Sequence, residues 1–436
     1  MLTAMAFANA ASARGSGYRP GLSLVQNAGA DRLLPRLLFA LVFTSVIATL
    51  PQVLSLWDGA KLQESDRGLR LLREGMLGVT VVWLLFQPDY RALLWRPAVA
   101  GIVGLLMVYA AFETLHALAR DLPLVVPLSG LRVFQYLPLL FAGMMCARRP
   151  QGRETFDAFA GYLRVFVVLQ GLIALNQAFN SPPVYGVSFL GGGRPWGTFT
   201  GPNPFGAALA ACALVFAYST RHDRGRWVFL SSAVAVLSGS RTAVIGVLLI
   251  VTYLGYRRLP PLGRWGALMA GPFLLPAALW LASSDVVSGR NIEGEGRIEG
   301  WLHHLHNLQN GWDLAFGWGL GLGSNTVTML YGKDAFPGQF IADGLYMFLL
   351  SGYGLVGVLA YLGLVIYSWA RSRHPDRLLL FSYVLLAGVA FNAWEVFPQN
   401  ALLMFLWGWV LGFPPREPAH PAPQWNGHGT RCPGPV

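Results

Sequence analysis

The sequence predicts an all-α polytopic membrane protein with about 12 transmembrane helices. Of its 436 residues, 54% are hydrophobic and 12% are charged, whereas soluble domains carry about 25% charged residues. The apolar residues are gathered in long runs nearly free of charge, and roughly 20 apolar residues span a bilayer as a helix. One long polar segment, residues 285–342, separates the predicted helices 9 and 10 and predicts a large outward loop with short amphipathic helices.

Composition also excludes several other classes. The formal charge is +11, but the basic residues are spread through short loops, so we expect no nucleic-acid partner. Three scattered cysteines predict neither a disulfide framework nor a metal knot. The sequence contains no Gly-Lys-Ser/Thr phosphate loop and no HExxH motif. We therefore expect neither a cofactor nor a metal.

The chain divides into five parts. Residues 1–32 have little apolar periodicity and no basic stretch ahead of their small residues, so they predict a disordered cytoplasmic arm and not a cleaved signal. Predicted transmembrane helices 1–9 occupy 33–284, the loop occupies 285–342, and helices 10–12 occupy 343–412. Residues 413–436 are rich in proline and predict a disordered cytoplasmic tail. The apolar runs are 37–57, 69–86, 98–118, 122–146, 156–180, 203–219, 226–240, 242–258, 262–284, 343–369, 377–397 and 399–412.

Positive charge predicts the orientation of these helices. If both termini are cytoplasmic, 20 of the 32 basic residues fall in inside segments, and every inside loop contains some. Cytoplasmic loops of membrane proteins carry an excess of Lys and Arg. The long loop, the connection 181–202 and the junction at Ser240 then face outward.

Three outward arginines lie in glycine-rich or turn-rich surroundings: Arg194, Arg241 and Arg297. Each could have a structural role, with its head group at the interface or bound to backbone carbonyls. Because arginine forks bind phosphate with two parallel hydrogen bonds, the three together predict an anion site. Two charged residues within apolar runs, Glu113 and Arg132, predict a structural ion pair inside the membrane.

Several motifs, in order and in position relative to the helices, resemble the O-antigen ligase and Wzy-type polysaccharide polymerase superfamily. The resemblance covers residues 35–412 and is strongest over 190–360. Its motifs are Gly197-Thr-Phe-Thr-Gly-Pro-Asn-Pro-Phe-Gly206, Ser240-Arg241, Arg297 to Trp301, Gly319 to Gly323, and Asp343 to Gly357.

The resemblance implies a glycosyltransferase of the bacterial inner membrane. Such enzymes perform a metal-independent, inverting transfer from an undecaprenyl-diphosphate-linked oligosaccharide at the periplasmic face. The acceptor is lipid A-core in ligases and another lipid-linked glycan in polymerases. Arg194, Arg241 and Arg297 would bind the diphosphate, and membrane lipid would surround the site.

Two carboxylates are candidate bases for the acceptor hydroxyl. Asp343 lies where the loop meets the next helix. The ligases carry histidine at this place, so aspartate is more similar to the polymerases. The alternative for Asp343 is an N-cap. Glu395 lies in the apolar run 377–397, and its alternative is an ion pair with an arginine.

The loop also contains the predicted substrate contacts. Residues 298–308 place apolar side chains on one helical face, which predicts an amphipathic helix along the membrane surface. Asn203, Trp301, His304 and Tyr346 are the predicted substrate-binding residues. Two histidines three positions apart in this helix have no clearly spaced third ligand for a metal. The glycines of 317–323 predict a tight loop.

A secondary transporter of a glycan or another anionic substrate is the alternative function. Twelve spans suit a transporter, but such folds commonly contain two related halves. No similarity between halves is evident here, since the long loop follows the ninth predicted span and not the sixth.

Overall fold

The computed structural model describes residues 27–57, 67–181, 190, 192–199, 201–261, 263–264, 305, 308, 310–332, 335–336, 344–390, 392 and 395–413. These ranges contain helices and connections but no strand. The α-helices are α1 (Asn27–Trp57), α2 (Arg67–Phe86), α3 (Pro88–Leu94), α4 (Pro97–Leu118), α5 (Val125–Leu131), α6 (Leu137–Arg148), α7 (Gly152–Asn180), α8 (Pro202–Tyr218), α9 (Arg224–Leu237), α10 (Arg241–Arg258), α11 (Gly311–Phe316), α12 (Asn325–Tyr331), α13 (Leu345–Arg371), α14 (Arg377–Ala390) and α15 (Gln399–Gly412).

Four helical stretches in the described part are long and apolar enough to cross a membrane. They contain 22, 24, 29 and 27 residues and are Pro97–Leu118, Val125–Arg148, Gly152–Asn180 and Leu345–Arg371. The second joins α5 to α6 through a 3-10 helix, Arg132–Tyr136. The described chain is therefore an all-α membrane protein, as its composition predicts.

Eleven of the twelve predicted apolar runs coincide with described helices, and the run 262–284 lies almost wholly outside the described residues. Two boundaries differ most from the prediction. Helix α1 begins at Asn27, inside the predicted arm. Helix α14 ends at Ala390, so Glu395 lies in the connection to α15 and not in an apolar helix.

The centre of the bundle contains α8 and α15, which are buried along most of their lengths. Glycines allow α15 to approach α6 closely. A Cβ atom on Gly408 would overlap the carbonyl oxygen of Leu140, and one on Gly143 would overlap that of Phe405. Small residues at helix interfaces are typical of membrane proteins, because packing drives helix association in lipid.

Helix α4 lies at the periphery. Leu105, Met107 and Val108 are each more than half exposed. A long helix that exposes large apolar side chains in this way faces lipid.

The predicted ion pair between Glu113 and Arg132 is wrong. Arg132 Nη2 donates to Oε1 of Glu74, which is on α2, at 2.7 Å. Glu113 is fully buried, and its Oε2 lies 3.5 Å from Nδ1 of His116, one turn along the same helix. Glu74 and Glu113 each lie beside a nitrogen atom of a basic side chain. Which helices are neighbours could not be predicted from the sequence.

Candidate functional site

The connection between α7 and α8 contains the start of the first motif, and its residues 193–199 are buried. The side chain of Gln177 holds this backbone through three hydrogen bonds. Its Oε1 accepts from the N–H groups of Trp196 and Gly197 at 2.9 and 2.7 Å, and its Nε2 donates to the Gly197 carbonyl at 2.9 Å.

A second glutamine, Gln170, lies two turns earlier on α7. Its Oε1 accepts from the N–H of Thr198 at 3.1 Å, and its Nε2 donates to Thr198 Oγ1 at 2.7 Å. Gly197 adopts φ +56°, and a Cβ atom there would overlap Gln170 Oε1. The motif glycine thus allows the loop backbone to reach the two amides.

Arg194 joins this connection to the turn between α9 and α10. Its side chain is 8% exposed. The Nε donates to the Ser238 carbonyl at 3.2 Å, and Nη2 donates to the Gly239 carbonyl at 2.8 Å. Gly239 has φ +62°, and an added Cβ would lie 3.1 Å from Arg194 Nε. Arg194 therefore has the carbonyl-binding role that was the structural alternative for an outward arginine.

The same turn leads directly into Ser240 and Arg241. Ser240 is the N-cap of α10, with its side chain accepting from the N–H of Ala243 at 3.5 Å. Arg241 is the first residue of α10. The structure describes the backbone of this residue. Two of the three predicted arginines thus come from segments that are in direct contact.

Helix α8 completes this end of the bundle. Asn203 lies in its first turn and is half-buried. At Gly206 the helix contacts the turn before α10, where an added Cβ would overlap Ser238 Oγ and lie 3.0 Å from the Cβ of Ser240. The segments 194–199, 201–206 and 238–241 therefore form one packed unit, which we call the arginine turn.

The glycine-rich loop 317–323 is tight, as predicted. Gly317, Gly319, Gly321 and Gly323 have φ between +77° and +129°, a region that L-residues with a side chain rarely adopt. A Cβ on Gly321 would overlap the Val126 carbonyl oxygen on α5. The loop thus occupies a narrow space between helices.

On its other side the loop enters a break in α13. Gly354 interrupts that helix with φ +63°, and a Cβ there would overlap the carbonyl oxygen of Ala315. The Trp318 N–H donates to the Ser351 carbonyl at 2.7 Å. The loop 317–323 is therefore packed between α5 and α13.

Helix α11, in the same polar segment, is fixed to the end of α4. Asp313 is buried and forms an ion pair with Arg120, whose guanidinium also lies 5.5 Å from the Trp318 ring centroid. Trp312 Nε1 donates to His116 Nε2 at 3.2 Å. These contacts hold the loop to the end of α4, which the charge distribution predicts to face outward.

Two further predicted residues lie near the start of α13 and the end of α14. The Tyr346 hydroxyl donates to the Leu385 carbonyl at 3.0 Å, so its hydroxyl faces α14. Glu395 is half-buried; its Oε2 accepts from Asn392 Nδ2 at 3.1 Å. The N-cap position of α13 is Gly344.

The remaining site residues lie outside the described part of the chain: Arg297, Trp301, His304 and Asp343. Their predicted roles stay predictions. Among the described residues, no group of three or more His, Cys, Asp or Glu side chains could hold a metal ion.

The two glutamines of α7 were not among the predicted site residues. They are seven residues apart and therefore lie on one helical face, and both are buried in the largely apolar stretch from Val165 to Phe179. Polar side chains at such spacing inside a membrane helix indicate a bound partner. This spacing was the signal that could have identified them.

Comparison of the sequence with protein-family models and with curated proteins gave no match.

Proposed function

We propose that the protein is an inner-membrane glycosyltransferase that transfers an undecaprenyl-diphosphate-linked glycan at the periplasmic face. The observation that carries the proposal is the contact between Arg194 and Gly239. It brings the Gly197–Gly206 motif against Ser240-Arg241, so two separate motifs of the superfamily resemblance meet at one end of α8. The resemblance supplies the reaction class, and the contact supports a common site.

The proposed topology has 12 spans with both termini in the cytoplasm. In this arrangement the ends of α7 and α9 and the starts of α8 and α10 all face outward. The contacts of the arginine turn support it, because they require those four helix ends to lie at the same side. The Arg120–Asp313 ion pair supports placing the polar segment at the outward end of α4.

The diphosphate would bind at the outward end of α10. Arg241 begins this helix of 18 residues, and helix N-termini attract anions through their free N–H groups and dipole. Arg297, from the polar segment, would supply a second guanidinium. Arg194 would position Arg241 through its bonds to the preceding turn, in addition to any contact with the anion.

The chemistry needs charge stabilisation more than protonation of the leaving group. The acceptor oxygen attacks the anomeric carbon, and the bond from that carbon to the diphosphate oxygen breaks with its electron pair. Inversion follows from attack on the opposite face. Arginines stabilise the charge that develops on the departing diphosphate, so the reaction proceeds without a metal.

The acceptor hydroxyl gives its proton to a carboxylate. Asp343 is the proposed base, because it lies directly before the N-cap of α13 in the sequence. Glu395 is the second candidate, and its contact with Asn392 leaves it half-buried in the connection before α15. Asn203, Trp301, His304 and Tyr346 would contact the glycan. An aspartate at 343 favours a glycan acceptor over lipid A-core.

The test compares Asp343→Asn with Glu395→Gln in purified protein supplied with lipid-linked oligosaccharide. We expect Asp343→Asn to bind the donor normally and to lose transfer by about 100-fold or more, the scale of a positioned base. Glu395→Gln should retain most of the activity. The reverse ranking would assign the base to Glu395, and full activity in both variants would contradict general base catalysis by either carboxylate.

A further inference from the structure

A cavity lies at the opposite end of the molecule from the arginine turn. It encloses about 510 Å³ between α4, α6, α13 and α15, within the roughly 300–1,000 Å³ of ligand sites. Phe413 lines it and contacts His374, which in turn contacts Tyr218 at the last residue of α8. The arginine turn packs at the first residues of α8, a helix about 25 Å long.

The lining has two chemically distinct parts. Most of it is apolar, with side chains such as Val103, Leu140 and Trp407. The charged lining residues are four arginines, Arg96, Arg148, Arg371 and Arg373, and the lining contains no aspartate or glutamate. All four are exposed, and none forms an ion pair with a carboxylate in the part of the chain that the structure describes.

The depth of the cavity matches one leaflet of a bilayer. On α4 it extends from Arg96 to Leu106, which is about 15 Å at 1.5 Å per residue. The hydrocarbon core of a bilayer is about 30 Å thick, so one leaflet contributes about 15 Å. The arginines lie at the ends of α4, α6 and α13, where the head groups of that leaflet would be.

We infer that this cavity binds an anionic phospholipid of the leaflet on the arginine side. An acyl chain would occupy the apolar interior between α4 and α6. The head-group phosphate would accept hydrogen bonds from the arginines at the mouth. Four cations without a carboxylate repel one another, and an anion relieves that repulsion. Basic pockets between membrane helices bind anionic head groups on this physical basis.

Two features favour an anionic phospholipid over other occupants. A free phosphate would use the arginines but leave the apolar lining without a partner. A zwitterionic lipid would fill the interior but bring no net charge to the mouth. The site is separate from the proposed glycan chemistry, because it lies at the other end of the bundle.

The experiment measures lipid binding to the purified full-length protein by native mass spectrometry. Phosphatidylglycerol, phosphatidylcholine and inorganic phosphate are titrated in parallel. The test variant is Arg148→Gln/Arg373→Gln, and the matched control is Arg226→Gln/Arg258→Gln, which removes the same charge from exposed residues outside the cavity. Val103→Trp, which fills the interior, tests the acyl-chain part.

We expect phosphatidylglycerol to bind at least 10-fold more tightly than phosphatidylcholine. The test variant should weaken phosphatidylglycerol binding about 30-fold while the control stays within about 2-fold. Val103→Trp should weaken both lipids. Thermal unfolding without lipid shows whether each variant is folded; a variant that fails this check is replaced by Arg96→Gln/Arg371→Gln. Equal binding of the two lipids, equal loss in test and control variants, or binding of inorganic phosphate as tight as that of phosphatidylglycerol would overturn the inference.

Discussion

The guanidinium group of Arg194 donates to the carbonyl oxygen of Gly239 at 2.8 Å, across 45 positions of sequence. A second bond from Nε reaches the neighbouring Ser238 carbonyl at 3.2 Å. The planar fork of arginine suits this pair of carbonyls, because its donors have fixed directions. The position of Arg241 at the start of α10 depends on this turn.

Replacing Arg194 by lysine tests that dependence. Lysine keeps the charge but has a single nitrogen on a flexible stem, so it cannot place two nitrogen donors in the fixed directions of the arginine fork. We expect Arg194→Lys to lower the free energy of unfolding by about 1–3 kcal/mol and to reduce transfer as well. Equilibrium unfolding in detergent measures the first effect. Arg226→Lys, at an exposed position, is the control, and equal stability of the two variants would contradict the role assigned to Arg194.

Gln177 should be essential for the connection before α8. In Gln177→Met the buried N–H groups of Trp196 and Gly197 lose their acceptor, at a cost of about 1–3 kcal/mol for an unsatisfied group. The matched control is Gln151→Met, because Gln151 is exposed at the start of α7 and its side chain makes no capping bond. Stability measured in the same detergent should fall in the first variant alone. No difference between the two would mean that the amide contacts are dispensable.

The glycine-rich loop allows packing and backbone strain to be separated. Gly321 and Gly332 have nearly the same φ, +94° and +96°. A Cβ at Gly321 would overlap the Val126 carbonyl, whereas one at Gly332 would meet no atom within 4 Å. Gly332→Ala should therefore cost only the strain of the positive-φ backbone, about 1–3 kcal/mol.

Gly321→Ala should cost clearly more than this, because the loop must also move away from α5. Thermal unfolding of the two alanine variants and of the unchanged protein gives the comparison. If both variants lose the same stability, the loop does not pack against α5 in the way described.

His374 should make stability depend on pH. Burial lowers its pKa to about 4, with Asp376 raising it and Arg153 and Arg257 lowering it further. Its Nδ1 accepts from the Asp376 N–H at 3.0 Å, which requires the unprotonated nitrogen. In the unfolded chain its pKa is about 6.5. The stabilisation is therefore complete above pH 6.5 and is lost progressively as the pH falls from 6.5 to 4.

At pH 5 this loss amounts to about 2 kcal/mol. We expect the decrease in stability between pH 7 and pH 5 to be smaller by about that amount in His374→Asn, whose amide oxygen can accept the same bond. Unfolding curves of both proteins at the two pH values measure it. A variant with the same pH dependence as the unchanged protein would show that His374 does not contribute.

The helices could be predicted well from the sequence, because lipid requires long apolar runs and those runs are visible in the chain. Partners could not. Arg132, at the start of the 3-10 helix, bonds Glu74 on α2 and not Glu113 on α4, and a hydropathy pattern does not show which of two acidic side chains an arginine will meet. The end of α14 at Ala390 was also missed: the apolar run continues past it through Phe391 and Trp394, so hydropathy alone does not mark the helix end.

The candidate site was predictable at the level of motifs. Glycines that require positive φ at 197, 239 and 321 could be recognised as loop residues. The roles of individual polar side chains were harder to predict. An outward arginine fits phosphate and backbone carbonyls equally well, and only the folded chain brings Arg194 to Gly239. Gln170 and Gln177 were overlooked because a glutamine in an apolar run carries no charge.

The most direct test of the central claim is the fate of the donor lipid in proteoliposomes. Purified protein is supplied with an undecaprenyl-diphosphate-linked oligosaccharide and a glycan acceptor, with a chelator present throughout. A transferase should lengthen the acceptor and release one undecaprenyl diphosphate for each transfer, and Arg241→Lys and Arg297→Lys should each reduce that release. An intact donor together with accumulation of glycan inside the vesicles would contradict the account and support a transporter, and activity that needed added magnesium or manganese would contradict the metal-independent mechanism.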